Sequence, residues 1–239
     1  MSDPVRLCAE AYAGWHTSWL TALGLRSERV DGLWRALDRP PQIYLAGITL
    51  DPGVRSESLA AVPGSVGDAW QTLDLHPFGF RVWRREPWFY RAPGLLPTEP
   101  PSDLEIVRVE TPDEVVEFEA VSVRGFGNEN DVIQPGTLHP PTILEDDAMQ
   151  MFIGRVDGRA VAASIGYVLH DVVGVFGVAT LASARRRGYG AALTRAAMLT
   201  DKGLPSVLAP SEEGASMYRS LGFQPVGGLT IWSRADPAP

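Results

Sequence analysis

Arg185-Arg186-Arg187-Gly188-Tyr189-Gly190 stands between an apolar, strand-like run, Val172 to Thr180, and a helix-like one, Ala191 to Leu199. A strand that ends in a basic, glycine-bearing turn and re-enters the chain as a helix is a cradle for an anion. Gly188 and Gly190 let the backbone close on a ligand, the first-turn N–H groups have no intrahelical acceptor, and the helix dipole favours negative charge. The ligand suited to such a turn is a phosphate or pyrophosphate. A merely solvated basic turn has the same composition, so the weight rests on the placement between strand and helix.

Working outward, the downstream segment Ser211-Glu212-Glu213-Gly214-Ala215-Ser216-Met217-Tyr218-Arg219-Ser220-Leu221-Gly222-Phe223 reads as a short helix, ended by a glycine, that hands over to a strand. The two motifs, in this order, resemble those of the GNAT superfamily of N-acetyltransferases. The first match is Arg185, Gly188 and Gly190, and the second is Tyr218, Gly222 and Phe223. The resemblance extends from about Leu104 to Arg234. It implies an α/β (α+β) fold in which a mixed, largely antiparallel central sheet is flanked by helices. It implies acetyl-CoA as co-substrate and transfer of the acetyl group to a primary amine by direct attack in a ternary complex. In that reading Val178, Ala179 and Thr180 pair their backbone with the pantetheine arm, and a backbone N–H there polarises the thioester oxygen. Arg185, Arg186, Arg187, Gly188, Tyr189, Gly190 and Ala191 hold the pyrophosphate, chiefly by main-chain N–H groups. Ser211 takes the place where many relatives carry an asparagine against the pantetheine, with a shorter reach. Tyr218 supplies a phenol beside the sulfur and acts as general acid, since a phenol near its ordinary pKa is protonated and can donate to a thiolate.

A base is not evident on the strand where relatives carry a glutamate, because Val172 to Thr180 has no ionisable side chain. The long acidic stretch from 125 to 147 offers Glu129, Asp131, Glu145, Asp146 and His139 instead, each with the alternative of being a solvated loop residue. The same stretch, where it holds Phe126 and Asn128, is expected to select the amine. The alternative to catalysis is an acyl-CoA binding or sensing protein, for which the missing strand carboxylate speaks. A third alternative makes the Trp-rich N-terminal half a module that recruits a partner.

Composition bounds these readings. The chain has 239 residues, 45% hydrophobic and 21% charged, with a formal net charge of −8. That balance suits a globular protein and disfavours a nucleic-acid surface, while an acidic molecule suits a cationic acceptor, a small molecule or a peptide amine. One cysteine, Cys8, excludes an internal disulfide, and with four histidines is too few for most closed metal sites. No apolar run approaches a membrane span and no leader is apparent, so the expected setting is the cytoplasm, without membrane contact and with room for a homodimer.

The organisation is read as an αβ region over 1–95, a proline-rich linker over 96–103 and the GNAT-like domain over 104–239. In the first region Ser2 or Asp3 caps a helix with Pro4 at its first position, along which Val5, Cys8, Tyr12, Trp15, Trp19 and Leu23 recur at helical spacing. A second helix is expected from Ser27 through Val30, Leu33, Trp34 and Leu37, a strand over Gln42 to Leu50, and a short helix opened by Ser65-x-x-Asp68 through Trp70 and Leu73. Gly79-Phe80 then leads into an extended run. The order strand, loop, short helix, Gly-Phe, strand parallels residues 206 to 234, with Leu75 opposite Tyr218, and suggests a degenerate half-copy that serves as scaffold, coincidence being the alternative. In the third region a strand over Leu104 to Val109 precedes a capping box, Thr111-Pro112-Asp113-Glu114, that opens a helix. Met149 to Val156 and Arg159 to Val168 form a hairpin about Asp157-Gly158, a third strand follows to Thr180, and His170-Asp171 marks the turn before it.

Overall fold

The computed structural model describes residues 3–95 and 100–234. The first helix, α1 (Pro4–Ala22), starts as its sequence requires, with Asp3 accepting from the Val5 N–H and proline in the first turn; Ser2 lies outside the described residues. The stretch expected to be a second helix is instead a hairpin of β1 (Ser27–Val30) and β2 (Leu33–Ala36). Asp31 and Gly32 form its turn with φ of 48° and 75°, the left-handed pair that closes a two-residue hairpin. The strand expected over Gln42 to Leu50 shrinks to β3 (Gly47–Thr49). Ser65 to Leu73 also differs from expectation: it holds a strand, β4 (Val66–Asp68), followed by a turn. The Asp68 carboxylate accepts from the Trp70 and Leu73 N–H groups and so ties the turn rather than capping a helix.

The remaining elements follow the reading closely. β5 (Phe80–Arg91) and β6 (Glu105–Arg108) flank the linker, of which residues 96–99 lie outside the described residues. α2 (Pro112–Phe126) opens with the complete capping box of Thr111 and Glu114. β7 (Met149–Val156), β8 (Arg159–Leu169) and β9 (Val172–Thr180) form an antiparallel meander. α3 (Tyr189–Met198), β10 (Ser206–Leu208), α4 (Ala215–Ser220) and β11 (Gln224–Arg234) follow.

Among the described residues all the strands join one 11-stranded sheet in the order β1-β2-β3-β4-β11-β5-β10-β9-β8-β7-β6. Its middle is palindromic. β3 lies parallel to β4 and β9 parallel to β10, and each pair is followed by an antiparallel neighbour, β11 beside β4 and β5 beside β10. β5 and β11 pair with each other at the centre. Each half of the chain therefore inserts its last long strand into the sheet of the other. The two strands are entered alike. Gly79 and Gly222, at φ of 81° and 90°, close the preceding helical turn, and the Phe80 and Phe223 N–H groups donate to the carbonyls of Leu75 and Tyr218.

Alternation along the strands separates two cores. α1 and α2 bury Cys8, Trp19, Val115 and Phe118 with Phe176, Val207 and Trp88 on one face. On the other, Ala197 and Met198 of α3 and Tyr218 of α4 pack with Val175, Leu208 and Phe89. Among the described residues no helix is long and apolar enough to cross a membrane.

Candidate active site

Parallel strands β9 and β10 pair only at Ser206 with Val173 and Val207 with Gly174. Beyond that point β10 ends at Leu208 while β9 continues to Thr180, so the edge of Val175 to Thr180 facing β10 has no strand against it. A cleft between diverging strands results. Within it β9 bulges: Ala163 pairs with Ala179 and Ile165 with Phe176, so Gly177 and Val178 together oppose Ser164. Gly177 has φ of 57°, a conformation that suits glycine, and the bulge leaves one residue of β9 out of the regular ladder beside the cleft.

The basic turn closes the upper end of this cleft. Gly188, at φ 85°, is the N-terminal boundary of α3, and no side chain caps that helix. The first amide donating to a carbonyl of the turn is that of Ala192, which bonds to Gly188 at 3.1 Å. Among the described residues the N–H groups from Arg186 to Ala191 meet no acceptor, which is the physical content of an anion cradle. A Cβ at Gly190 would stand 3.3 Å from Met217 Sδ and 3.5 Å from Thr180 Oγ1, so α3 approaches both α4 and the end of β9 there.

The three arginines do different things. Arg185 donates to Gly125 O at 2.9 Å and to Thr180 O at 3.3 Å, tying the end of α2 to the end of β9. Arg186, at φ 66°, and Arg187 are exposed. Tyr189 is buried under the turn and its hydroxyl donates to Asp103 at 2.6 Å, a contact that raises its pKa. α2 comes close to Ala179 and Thr180 because residue 125 is glycine: a Cβ there would lie 2.9 Å from Ala179 Cβ.

Tyr218 lies inside the cleft on the α3 and α4 side, 8% exposed, with Val175 and Leu208 in its cluster and Val178 and Ala191 packed against it. Burial pushes its phenol up to about 12, against a smaller opposing effect of the Thr194 hydroxyl. Ser211 is exposed, and its hydroxyl accepts from the Gly214 N–H at 3.2 Å, so it braces the start of α4. The strand end Val178 to Thr180, the turn and Tyr218 are thus brought around one cleft.

Three of the loop acids are held by hydrogen bonds, Asp131 and Asp146 to near neighbours and Glu129 to the segment before the basic turn. Glu129 accepts from the Ser183 N–H and hydroxyl, Asp131 from the Asn128 N–H, and Asp146 from the Ala148 N–H. Glu145 is exposed. His139 is wedged between Trp19 and Phe118, and burial lowers its pKa to about 4. Sequence reasoning missed Glu119, a fully buried carboxylate on α2 that accepts from the Gly136, Leu138 and His139 N–H groups and anchors the loop. The available signal was a carboxylate on the apolar face of an amphipathic helix, one residue from Phe118. Among the described residues no three His, Cys, Asp or Glu side chains gather to hold a metal ion.

Residues 117–223 match the acetyltransferase (GNAT) family. A GCN5-related N-acetyltransferase from Kribbella flavida superposes with a TM-score of 0.64 at 22% identity, covering 95% of this chain and 96% of that one. A GNAT-family protein from Novosphingobium aromaticivorans does so with 0.63 at 19% identity, covering 98% and 100%. A conserved protein of unknown function from Staphylococcus epidermidis reaches 0.60 at 10% identity, covering 88% and 94%. No curated protein matches the sequence. Residues 117–223 therefore match a GNAT acetyltransferase domain, in a chain that shares the fold of GNAT proteins along nearly its whole length.

Proposed function

We propose that this protein transfers an acetyl group from acetyl-CoA to a primary amine by direct attack in a ternary complex. The observation that carries the reading is the uncapped N-terminus of α3 behind Gly188, set at the open end of the β9 and β10 cleft with Tyr218 inside it. The pyrophosphate rests on the amides from Arg186 to Ala191, with the exposed Arg186 and Arg187 adding charge, while Arg185 shapes the turn through its two carbonyl contacts. The pantetheine arm pairs with the free edge of Val178, Ala179 and Thr180, where β10 has ended. An amide at the bulge polarises the thioester oxygen, and fixed donors aimed at a developing oxyanion need no reorganisation during reaction. Tyr218 protonates the departing sulfur.

The acceptor enters from the opposite face, which α1, α2 and the loop after α2 cover. Amine choice belongs to that face because the other side of the thioester recognises only CoA. The parallel closures at Gly79 and Gly222 and the palindromic sheet support reading residues 1–95 as a degenerate half-copy that lends β5 to the catalytic half. Calorimetry with acetyl-CoA, followed by thiol release on adding a panel of amines, tests the proposal. Absence of acetyl-CoA binding by the wild-type protein would refute it.

A further inference from the structure

A carboxylate from the N-terminal half stands across the cleft from the bulge. Val207 is level with Gly174, and Phe89 with Leu208, so Phe89 is level with Val175. β5 runs against β10 and β9, and three residues back along it Glu86 comes level with Val178. β10 has ended below this height, so among the described residues no strand lies between Glu86 and the bulge. The gap is two strand spacings, about 10 Å, before the strands diverge. That separation is of the length of an amine, or of an amine and one water.

Its side chain is on the acceptor face. Glu86 is two residues from Trp88, which points into the core beneath α1. Tyr12 of α1 packs 5.6 Å from both Trp88 and Phe176 and so spans the gap between β5 and β9 on that face. Only 11% of the Glu86 side chain is exposed, and Arg84 Nε pairs with Oε1 at 3.1 Å from a half-exposed position. Burial raises the carboxyl's proton affinity and Arg84 partly offsets it. The Tyr12 phenol, raised by burial and by the charge of Glu86, stays protonated beside it. By contrast Glu129 already accepts from Ser183, Asp131 from Asn128 and Asp146 from Ala148.

We infer that Glu86 is the base of the transfer, taking the proton of the attacking amine directly or through one water on the α1 face of the cleft. This rests on the acetyl-transfer reading. The nitrogen lone pair forms the C–N bond, the C–S electron pair leaves on sulfur, Tyr218 gives sulfur its proton, and the proton shed by nitrogen passes to Glu86. Exchange with solvent then returns both side chains to their starting states.

The test compares wild type with Glu86→Gln and Glu86→Asp. Acetyl-CoA affinity is measured by calorimetry, and thiol release with phenethylamine, with spermidine and with water alone as acceptor. Glu86→Gln is expected to keep the affinity and lose about 10²- to 10⁴-fold in kcat, with Glu86→Asp recovering part of it. The acidic limb of the wild-type pH profile, set by Glu86 with Arg84 and Tyr12 beside it, is expected to be lost in Glu86→Gln, leaving the rise that follows deprotonation of the acceptor amine itself. Wild-type rates in Glu86→Gln, or equal losses of affinity and rate, overturn the inference. So does a wild type that binds acetyl-CoA yet releases no thiol to any of the three acceptors. Failure of the wild type to bind acetyl-CoA would instead overturn the reading beneath it.

Discussion

Single residues carry the chemistry through burial. A phenol pushed up to about 12 is fully protonated through the neutral range, so Tyr218 is a donor at any working pH. Tyr218→Phe is expected to lower kcat by about ten- to ten-thousand-fold with nearly unchanged acetyl-CoA affinity, and calorimetry beside steady-state kinetics separates the two. Equal losses would mark a packing role. A second consequence concerns His16 and His139, both buried and both lowered from 6.5 to about 4, chiefly by burial. His16 Nδ1 faces Tyr12 O at 2.8 Å and so carries the proton there, leaving Nε2 buried without a partner. A folded pKa below the unfolded one means the unfolded chain binds protons first. Stability is therefore complete above about pH 6.5 and falls as the pH drops toward 4, by up to ~3 kcal/mol for each histidine. Urea midpoints measured across that window should fall, and His139→Gln should flatten the decline; parallel curves for the two proteins would count against this.

At the scale of elements, turns and bulges decide which backbone groups are free. The bulge of β9 depends on Gly177, where a Cβ would meet Ile165 Cδ1 at 3.2 Å and any side chain would pay for positive φ. Gly177→Ala is expected to cost about 1 kcal/mol in stability and to lower kcat toward the ~10²-fold typical of a lost oxyanion donor. Chemical denaturation and thiol-release kinetics would show both, and full activity would remove the bulge from the mechanism. Gly188 is the corresponding point of the cradle. Its Cβ would meet only Pro101, at 3.4 Å, but φ of 85° strains any side chain, so a larger residue should cost about 1 kcal/mol in stability while blocking approach to the α3 amides, seen as lost acetyl-CoA binding with a native far-UV spectrum. The same scale explains one misreading. Val30, Leu33, Trp34 and Leu37 satisfy helical spacing, yet Asp31-Gly32 adopts φ of 48° and 75°, nearly those of Asp157-Gly158 at 50° and 73°. The dipeptide that identified the second hairpin was present in the first and outweighed the periodicity.

For the molecule as a whole, the exchange of β5 and β11 makes the halves interdependent. Without residues 1–95, β10 and β11 lose the strand between them, and Tyr218 loses Phe89 from its cluster. A fragment of 104–239 is expected to be unfolded or aggregated, because exposed strand edges pair indiscriminately. Co-expression with 1–95 should restore a soluble complex with a native circular dichroism spectrum. A folded, monomeric 104–239 fragment would show that β5 is dispensable.

Local chemistry was legible in the sequence by itself: the capping box at Thr111, the Asp157-Gly158 hairpin, the glycine turn before α3 and the Met217-Tyr218 helix closed by Gly222. Each is set by residues within a few positions of one another, whose backbone preferences act before any tertiary contact forms. Glu86 carried no such signal, being one charged residue in a strand dense with arginine. Its place opposite the bulge comes from strand register between segments about ninety positions apart, and from the burial that α1 imposes. The inserted strands are of the same kind. A long strand offers two edges, and which neighbours fill them depends on how all the other segments pack, so only the tertiary structure decided that the N-terminal half would complete the catalytic sheet.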